Sequence, residues 1–254
     1  MKRIDLNCDL GEMAELAAGG IEDALLACVS SANVACGAHA GDAATMERTM
    51  RAALARGVQI GAHPGYPDRE RFGRVELEMS VEEIARSVYE QLTALDGVAR
   101  VCGAVVRHVK PHGALYNRAV RDRQIAHAVA AGVARWSRDV VLVGLAGSAM
   151  LDAFREAGFP VAAEAFADRR YERDGSLRSR ELSGALIADP AEAARQAVRL
   201  VEEGVVIACD GAPVEIHAST ICLHGDTPGA LAMARAVAAA LGAAGVAIQP
   251  FAAA

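Results

Sequence analysis

Short runs rich in β-branched residues alternate with amphipathic helical patterns along the whole chain, and this alternation constrains the fold more than any other feature. The first cycle places a run at Ile4–Leu10, a helical pattern at Ile21–Cys28 and a second run at Ser31–Cys36. Strands that are separated by helices predict parallel βαβ units. Seven firm strand candidates follow this pattern, at 4–10, 31–36, 58–62, 107–109, 140–145, 161–166 and 220–223, and an eighth candidate lies at 247–249.

The number of strands predicts a closed or nearly closed parallel (β/α) barrel with seven, or with the last candidate eight, strands. The 254 residues suit one such domain, spanning 1–254. Two segments interrupt the pattern. Asp210-Gly211 between Val205–Ala208 and Val214–His217 predicts a small antiparallel hairpin, and the polar segment Arg169–Ser183 predicts a long loop. This loop has two interpretations, a lid over a site or a surface insertion.

The composition indicates a cytoplasmic protein that acts on a small molecule or binds another protein. A formal charge of -6 without a basic block argues against nucleic acid or an anionic membrane as a partner. Six cysteines lie in apolar stretches without C-x-x-C or zinc-finger spacing, so we expect reduced core residues. No apolar stretch is long enough to span a bilayer, and acidic residues near the start argue against a secretion signal.

Polar side chains recur with a period of two in the predicted strands. Asn7 and Asp9 share one face of the first strand, and Lys110 and His112 share one face at the end of the fourth. Alternate residues of a barrel strand face the lumen, so we expect these groups to meet there. Buried charges must be paired or hydrated. Because most of them lie at or beyond the C-terminal ends of strands, they predict one active site at that rim.

Closely spaced carboxylates and imidazoles suit general acid–base catalysis. We therefore predict catalytic roles for Asp9, His39, His63, His112, Glu164 and His224. Amide, cationic and phenolic groups beside them suit substrate recognition. For substrate binding we predict Asn7, Glu12, Asn33, Lys110, Tyr116, Asn117, Asp168, Arg169 and Asp226.

Some polar residues have competing structural explanations. Asp42 suits a helix cap, and His108, deeper in its strand, suits a structural role. Arg169 or Arg170 could bind an anionic ligand or form solvated ion pairs. Thr227-Pro228 resembles a helix start. The chain contains no G-x-x-x-x-G-K-[ST] motif, so a conventional P-loop does not bind any nucleotide here.

Six segments together resemble the LamB/YcsF family, the A subunits of 5-oxoprolinase, over essentially the whole chain. They are DLNCDLGE at 5–12, ANVACGAHAGD at 32–42, GAHPGYPD at 61–68, KPHGALYN at 110–117, EAFADRRY at 164–171 and ICLHGDTPG at 221–229. The resemblance implies a TIM-like barrel of the glycoside hydrolase/deacetylase type. It also implies ATP-dependent opening of 5-oxo-L-proline to L-glutamate, with ATP as co-substrate and with partner subunits B and C.

For the chemistry, the resemblance implies that Asp9 or His112 activates water and that Lys110 holds a carboxylate or phosphate. A divalent metal could be held by Asp9, His39, His63 and His224, although their spacing leaves its presence and identity open. Two alternatives remain at this point, a metal-dependent amide or polysaccharide deacetylase and a non-catalytic subunit that binds substrate.

Overall fold

Seven parallel strands close into a barrel in the computed structural model, which describes residues 1–13, 20–225 and 229–251. The strands are β1 (Arg3–Leu10), β2 (Ser31–Ala35), β3 (Gln59–His63), β4 (Val106–Val109), β5 (Val141–Leu145), β6 (Val161–Phe166), β7 (Val205–Ile207), β8 (Pro213–Glu215), β9 (Thr220–Leu223) and β10 (Ala247–Ile248). The helices are α1 (Ile21–Leu26), α2 (Ala43–Ala55), α3 (Val81–Cys102), α4 (Gly113–Arg121), α5 (Arg123–Trp136), α6 (Ala149–Glu156), α7 (Pro190–Glu203) and α8 (Ala230–Ala243).

The barrel runs in the order β1-β2-β3-β4-β5-β6-β9 and closes where β9 pairs with β1. This confirms the predicted barrel. The eighth candidate forms β10, which pairs only with Arg3 and Ile4 at the start of β1, so it does not complete an eight-stranded barrel. The hairpin predicted around Asp210-Gly211 is present as the antiparallel pair β7–β8.

Local sequence signals account for most helix boundaries. Helix α3 begins with a capping box between Ser80 and Glu83 and ends at Gly103, whose φ of 69° is left-handed. Helix α2 begins after Asp42, whose side chain accepts a hydrogen bond from Thr45 N, so the capping explanation is confirmed. The predicted start at Thr227-Pro228 lies outside the described residues.

One helix of the described residues was not predicted. Helix α4 begins at Gly113, directly after His112, and contains Tyr116 one turn later. Capping residues do not predict this helix, because it starts with a glycine and no side chain caps its N-terminus. Because helix α4 starts at Gly113, His112 lies between the end of β4 and the N-terminus of a helix.

Most apolar side chains of the strands pack outward against the helices, and most polar side chains face the lumen, whereas Val141, Val143 and Ala162 form a separate apolar cluster with Phe251. Leu6, Cys8 and Leu10 of β1 are buried in the core. The expectation that all six cysteines are core residues is wrong for Cys209, which is exposed in the turn after β7. Among the helices that the structure describes, none is long and apolar enough to cross a membrane.

The lower part of the lumen is tightly packed around His108. Its Nε2 donates to Asn33 Oδ1 at 2.7 Å, and the edge of its ring contacts Phe251 at a centroid distance of 5.2 Å. A Cβ added to Gly61 would lie 2.0 Å from His108 Nε2, so only glycine leaves room for the ring. Burial lowers the pKa of His108 to about 3, and the ring is therefore neutral at physiological pH.

Candidate active site

A buried lysine lies at the centre of the rim formed by the C-terminal strand ends. Lys110 follows β4, and its Nζ lies 2.9 Å from Asp9 Oδ1 and 2.9 Å from Glu164 Oε1. Nζ also donates to Cys222 Sγ at 3.0 Å. Burial alone would lower the pKa of Lys110, but Asp9, Cys222 and Glu164 raise it well above its usual value. The ammonium is therefore charged and already paired with two carboxylates.

Two buried amides hold these carboxylates in place from below. Asn33 Nδ2 donates to Asn7 Oδ1 and to Asp9 Oδ1, each at 2.7 Å. Asn7 Nδ2 donates to Glu164 Oε1 at 3.2 Å and to Thr220 Oγ1 at 2.6 Å. Asn7 and Asn33 are each 1% exposed, and their observed contacts are with protein groups. Their role in binding substrate stays a prediction.

A second group combines one carboxylate with three imidazoles. Glu12 Oε1 lies 3.3 Å from His112 Nδ1, 3.4 Å from His39 Nε2 and 3.9 Å from His63 Nε2. The rings of His39 and His112 stack with centroids 3.9 Å apart. Burial would raise the pKa of Glu12, but His112 and His39 hold it below its usual range, so this group keeps a negative charge. We call these four residues the histidine group.

Backbone carbonyls fix the tautomers of two of these rings. His63 Nδ1 donates to Lys110 O at 2.8 Å, and His112 Nε2 donates to Phe72 O at 2.9 Å. Phe72 has a φ of 56°, an uncommon conformation for a bulky side chain. His63 Nε2 and His112 Nδ1 are left 3.0 Å apart. His39 differs, because burial lowers its pKa to about 4 and neither ring nitrogen accepts or donates a hydrogen bond in the structure.

A third group pairs Asp168 with His224. His224 Nδ1 donates to Asp168 Oδ2 at 2.7 Å, and the ring stacks over Phe166 with centroids 5.7 Å apart. Burial opposes ionisation of Asp168, but His224 lowers the pKa of this carboxyl below its usual value. With Nδ1 occupied as a donor, the neutral ring has an unprotonated Nε2, which suits a general base.

These groups border one cavity of about 540 Å³ at the rim. The predicted site residues that line it are Asp9, Glu12, His63, Lys110, His112, Tyr116, Asn117, Arg169 and His224. The long loop supplies part of the wall through residues 176–181, so it belongs to the site and is not a remote insertion. Its movement as a lid stays a prediction.

Arginines give the mouth of this cavity a positive character. Arg169 is 5% exposed, and its guanidinium donates to Ala185 O and Arg178 O at 3.4 and 2.6 Å. Burial, together with Arg180, lowers the pKa of Arg169 to about 10, which leaves it charged at neutral pH. Sequence reasoning missed four lining arginines, namely Arg74, Arg121, Arg178 and Arg180. For Arg178 and Arg180, the only sequence signal was their position in the arginine-rich loop.

Tyr116, Asn117 and Arg170 differ in their burial and in their partners. Tyr116 is buried, and burial together with Glu164 raises the pKa of its phenol well above the usual value. Asn117 is exposed at the cavity wall. Arg170 forms an ion pair with Glu192 at 2.8 Å, as the ion-pair explanation expects. Asp226 lies outside the described residues.

The structure groups possible metal ligands differently from the set that the resemblance implies. Among the residues it describes, Glu12, His63 and His112 offer ligand atoms that all lie within 4.8 Å of one another. Asp9 Oδ2 contacts His63 Nε2 at 3.3 Å, whereas His224 pairs with Asp168. The donor set at the rim is therefore a carboxylate and two imidazoles.

Comparison with known proteins places the chain in a family. The LamB/YcsF family model matches residues 4–254. The chain belongs to the LamB/YcsF family. A LamB/YcsF relative from Chloroflexus aggregans, named as the A subunit of 5-oxoprolinase, is 53% identical over 249 residues, which cover 98% of this chain and 99% of the relative.

Solved structures agree with this placement. The lactam utilization protein from Thermus thermophilus is 44% identical to this LamB/YcsF chain, with a TM-score of 0.92 over 98% of this chain and 100% of that one. A family 4 carbohydrate esterase from Streptomyces lividans, solved with acetate, is 12% identical with a TM-score of 0.51 over 99% of this chain and 94% of its own. At that identity the likeness shows the fold alone, a TIM-like barrel shared with deacetylases.

Proposed function

We propose that this chain is the A component of a cytoplasmic 5-oxoprolinase, which opens 5-oxo-L-proline to L-glutamate with ATP and with partner subunits B and C. The observation that carries the proposal is the cationic cavity beside the Asp168–His224 pair, in a chain 53% identical to a relative named for this enzyme. The substrate and the chemistry of ring opening each match a part of this cavity.

The charge of the cavity suits the substrate. 5-Oxoproline carries one carboxylate, and a guanidinium recognises a carboxylate through two parallel hydrogen bonds. Arg169 contributes to the cavity wall and is held in place by backbone carbonyls, which orient the guanidinium without neutralising its charge. We assign the substrate carboxylate to Arg169, with Arg180 adding to the positive potential, whereas Arg178 is paired with Glu172 at 2.8 Å. Lys110 is less suited to that task, since its ammonium already pairs with Asp9 and Glu164.

The Asp168–His224 pair supplies proton transfer. Asp168 holds His224 with Nδ1 as the donor, so Nε2 can accept a proton from an attacking water. The resulting imidazolium is stabilised by Asp168 and can return the proton to the lactam nitrogen as the C–N bond breaks. Asp9 stays ionised at the floor of the same cavity, because His63 and Lys110 outweigh the burial that would raise the pKa of Asp9.

ATP makes the reaction possible because an amide carbonyl is a poor electrophile. Transfer of the γ-phosphoryl group to the lactam oxygen yields ADP and an activated ring carbon. Water adds to that carbon, and cleavage of the C–N bond then releases the amine and leaves a γ-glutamyl phosphate. A second water hydrolyses this acyl phosphate to the new carboxylate of glutamate and free phosphate. The chain lacks a P-loop motif, so we assign the ATP site to the partner subunits.

Reconstitution of the three subunits tests the proposal. Glutamate release from 5-oxoproline should require the chain, both partners and ATP, and the chain alone should show almost no turnover. His127→Ala is a suitable control, because His127 lies on a helix surface with 44% of its side chain exposed. Full activity of the isolated chain would reject the shared reaction, and ATP-independent release of acetate from acetylated sugars would indicate a deacetylase.

A further inference from the structure

Two imidazole nitrogens in the histidine group face each other at a distance of 3.0 Å. A carbonyl oxygen can only accept a hydrogen bond, so Lys110 O fixes the proton of His63 on Nδ1, and Phe72 O fixes that of His112 on Nε2. In the neutral rings, His63 Nε2 and His112 Nδ1 are therefore both lone-pair donors. They lie 3.0 Å apart, a hydrogen-bonding distance at which neither can donate. The pair therefore needs a positive charge at this point, supplied either by a proton or by a metal ion.

A third electron-pair donor converges on the same point. Glu12 Oε1 lies 3.3 Å from His112 Nδ1 and 3.9 Å from His63 Nε2. The side chain of Glu12 is only 6% exposed, and Oε1 accepts no hydrogen bond of normal geometry. A buried carboxylate oxygen without a hydrogen bond is unfavourable unless something else neutralises it.

We propose that Glu12, His63 and His112 bind one divalent transition-metal ion of the class of Zn²⁺ and Co²⁺. Metal–ligand bonds of about 2.0–2.2 Å in a tetrahedral site place neighbouring ligand atoms about 3.3–3.6 Å apart. The three distances observed here, 3.0, 3.3 and 3.9 Å, bracket that range. Two imidazoles and one carboxylate are a common donor set for these metals, with one position left for water or substrate.

The surroundings of the three side chains support the same conclusion. In metal sites, the second nitrogen of a ligating histidine commonly donates to a backbone carbonyl, which orients the ring. Both rings show that arrangement here, through Lys110 O and Phe72 O. The ring of His39 stacks on His112, and its Nε2 approaches Glu12 Oε1 at 3.4 Å, so His39 positions two of the three ligands.

The site opens on the cavity assigned to the substrate, since all three ligand residues line it. A cation there would supply a Lewis acid close to the lactam or phosphoryl oxygen. The inference goes beyond the proposed function and is independent of it, because metal binding can be measured on the full chain without substrate, ATP or partners.

Titration of the chelator-stripped chain with Co²⁺ tests the site. We expect one Co²⁺ per chain by calorimetry and visible absorption bands of the intensity of a four-coordinate site. Glu12→Gln and His112→Ala should each weaken binding more than about 100-fold, beyond the 10–100-fold typical of changes around a metal site. His224→Ala is the matched control, a histidine of the same cavity outside the ligand set, and should change affinity less than about twofold. Circular dichroism verifies that each variant is folded.

Histidine NMR provides a readout that does not depend on the variants. In the Co²⁺-loaded chain, the protons on His63 Nδ1 and His112 Nε2 should appear as two strongly shifted resonances, slow to exchange because carbonyls accept them. The proposal is overturned if neither Co²⁺ nor Zn²⁺ binds stoichiometrically, or if both ligand variants bind like the wild type. It is also overturned if a proton shared by the two nitrogens persists when metal is present.

Discussion

His224 and Asp168 are joined by two hydrogen bonds to a single carboxylate oxygen. Asp168 Oδ2 accepts from His224 Nδ1 at 2.7 Å and from the backbone N–H of His224 at 3.1 Å. Because the ring and its own backbone are held by the same atom, the imidazole can neither rotate nor exchange its tautomer freely. This arrangement leaves the other ring nitrogen as the proton acceptor.

Asp168→Asn should therefore reduce kcat for glutamate release by the reconstituted subunits about 10²–10⁴-fold, since an amide can stabilise the wrong tautomer and cannot stabilise the imidazolium. Substrate KM should change much less. Asp152→Asn, which alters an exposed ion pair with Arg155, is the matched control. Retention of more than half of the wild-type kcat would exclude this pair from proton transfer.

Arg169→Gln tests recognition of the substrate carboxylate. Loss of a charge-assisted pair costs about 1.5–3 kcal/mol, so KM for 5-oxoproline should rise about 10–100-fold with a smaller change in kcat. Arg173→Gln removes an exposed arginine that pairs with Asp210 and should leave KM unchanged. An unchanged KM in the Arg169 variant would place the carboxylate elsewhere.

Lys110→Met should lower the free energy of unfolding by about 3–5 kcal/mol, because it leaves the carboxylates of Asp9 and Glu164 buried without their counter-ion. Addition of Glu164→Gln should recover part of that loss. Urea unfolding measures both effects. Lys2 is the other lysine of the chain and is exposed, so Lys2→Met should cost less than about 1 kcal/mol. Equal losses in the two lysine variants would mean that the buried pairing is not stabilising.

Gly61→Ala should destabilise the barrel by about 1–3 kcal/mol or more, since the new methyl group would overlap the ring of His108. Gly97 lies inside helix α3, where an added Cβ meets nothing within 4 Å. Gly97→Ala should instead stabilise the protein by about 0.5–1 kcal/mol. Thermal unfolding of both variants should give shifts of opposite sign, and a neutral Gly61→Ala would show that the lumen can expand.

His108 should make the protein less stable in acid. Its pKa in the folded state is lowered to about 3, against about 6.5 when unfolded, so the unfolded chain binds the proton first as pH falls. The contribution of His108 to the free energy of unfolding is fully present above pH 6.5. It is lost as the pH falls from 6.5 towards 3, at about 1.4 kcal/mol per pH unit.

When the pH is lowered from 7.5 to 5.0, the free energy of unfolding should therefore fall by about 2 kcal/mol less in His108→Gln than in the wild type. This difference does not depend on how stable the variant is at pH 7.5. Glutamine keeps a donor for Asn33 Oδ1 but cannot take up a proton. Urea unfolding at the two pH values measures the difference. The same loss in both proteins would show that His108 does not contribute to the acid sensitivity.

Local patterns were sufficient to predict most of the fold. Strands are predicted by period-two alternation and helix starts by capping residues. Both signals depend only on residues close together in sequence, as in the capping box of Ser80 and Glu83. Helix α4 was missed because no such cap precedes Gly113. The separate role of β10 could not be predicted, since it depends on where the barrel closes.

The sequence predicted that polar side chains gather at one rim of the barrel, but it did not predict how they pair. Alternation along single strands indicated which side chains enter the lumen, and hence that Asp9 and Lys110 would meet. Which partner each group takes depends on distances between strands far apart in sequence. The carbonyl of Phe72 and the guanidinium of Arg74 have no local signal, because both are brought to the site by the irregular segment after β3.

The lumen of this barrel is cross-linked by hydrogen bonds from strand to strand, as Asn7 connects Asn33, Glu164 and Thr220. Groups bound in this way are energetically coupled, so a change at one position alters the best residue at the next. Acquisition of a different substrate by this scaffold would therefore begin in the wall formed by residues 176–181, whose side chains are exposed or half-buried, and the interior would change only through simultaneous replacements.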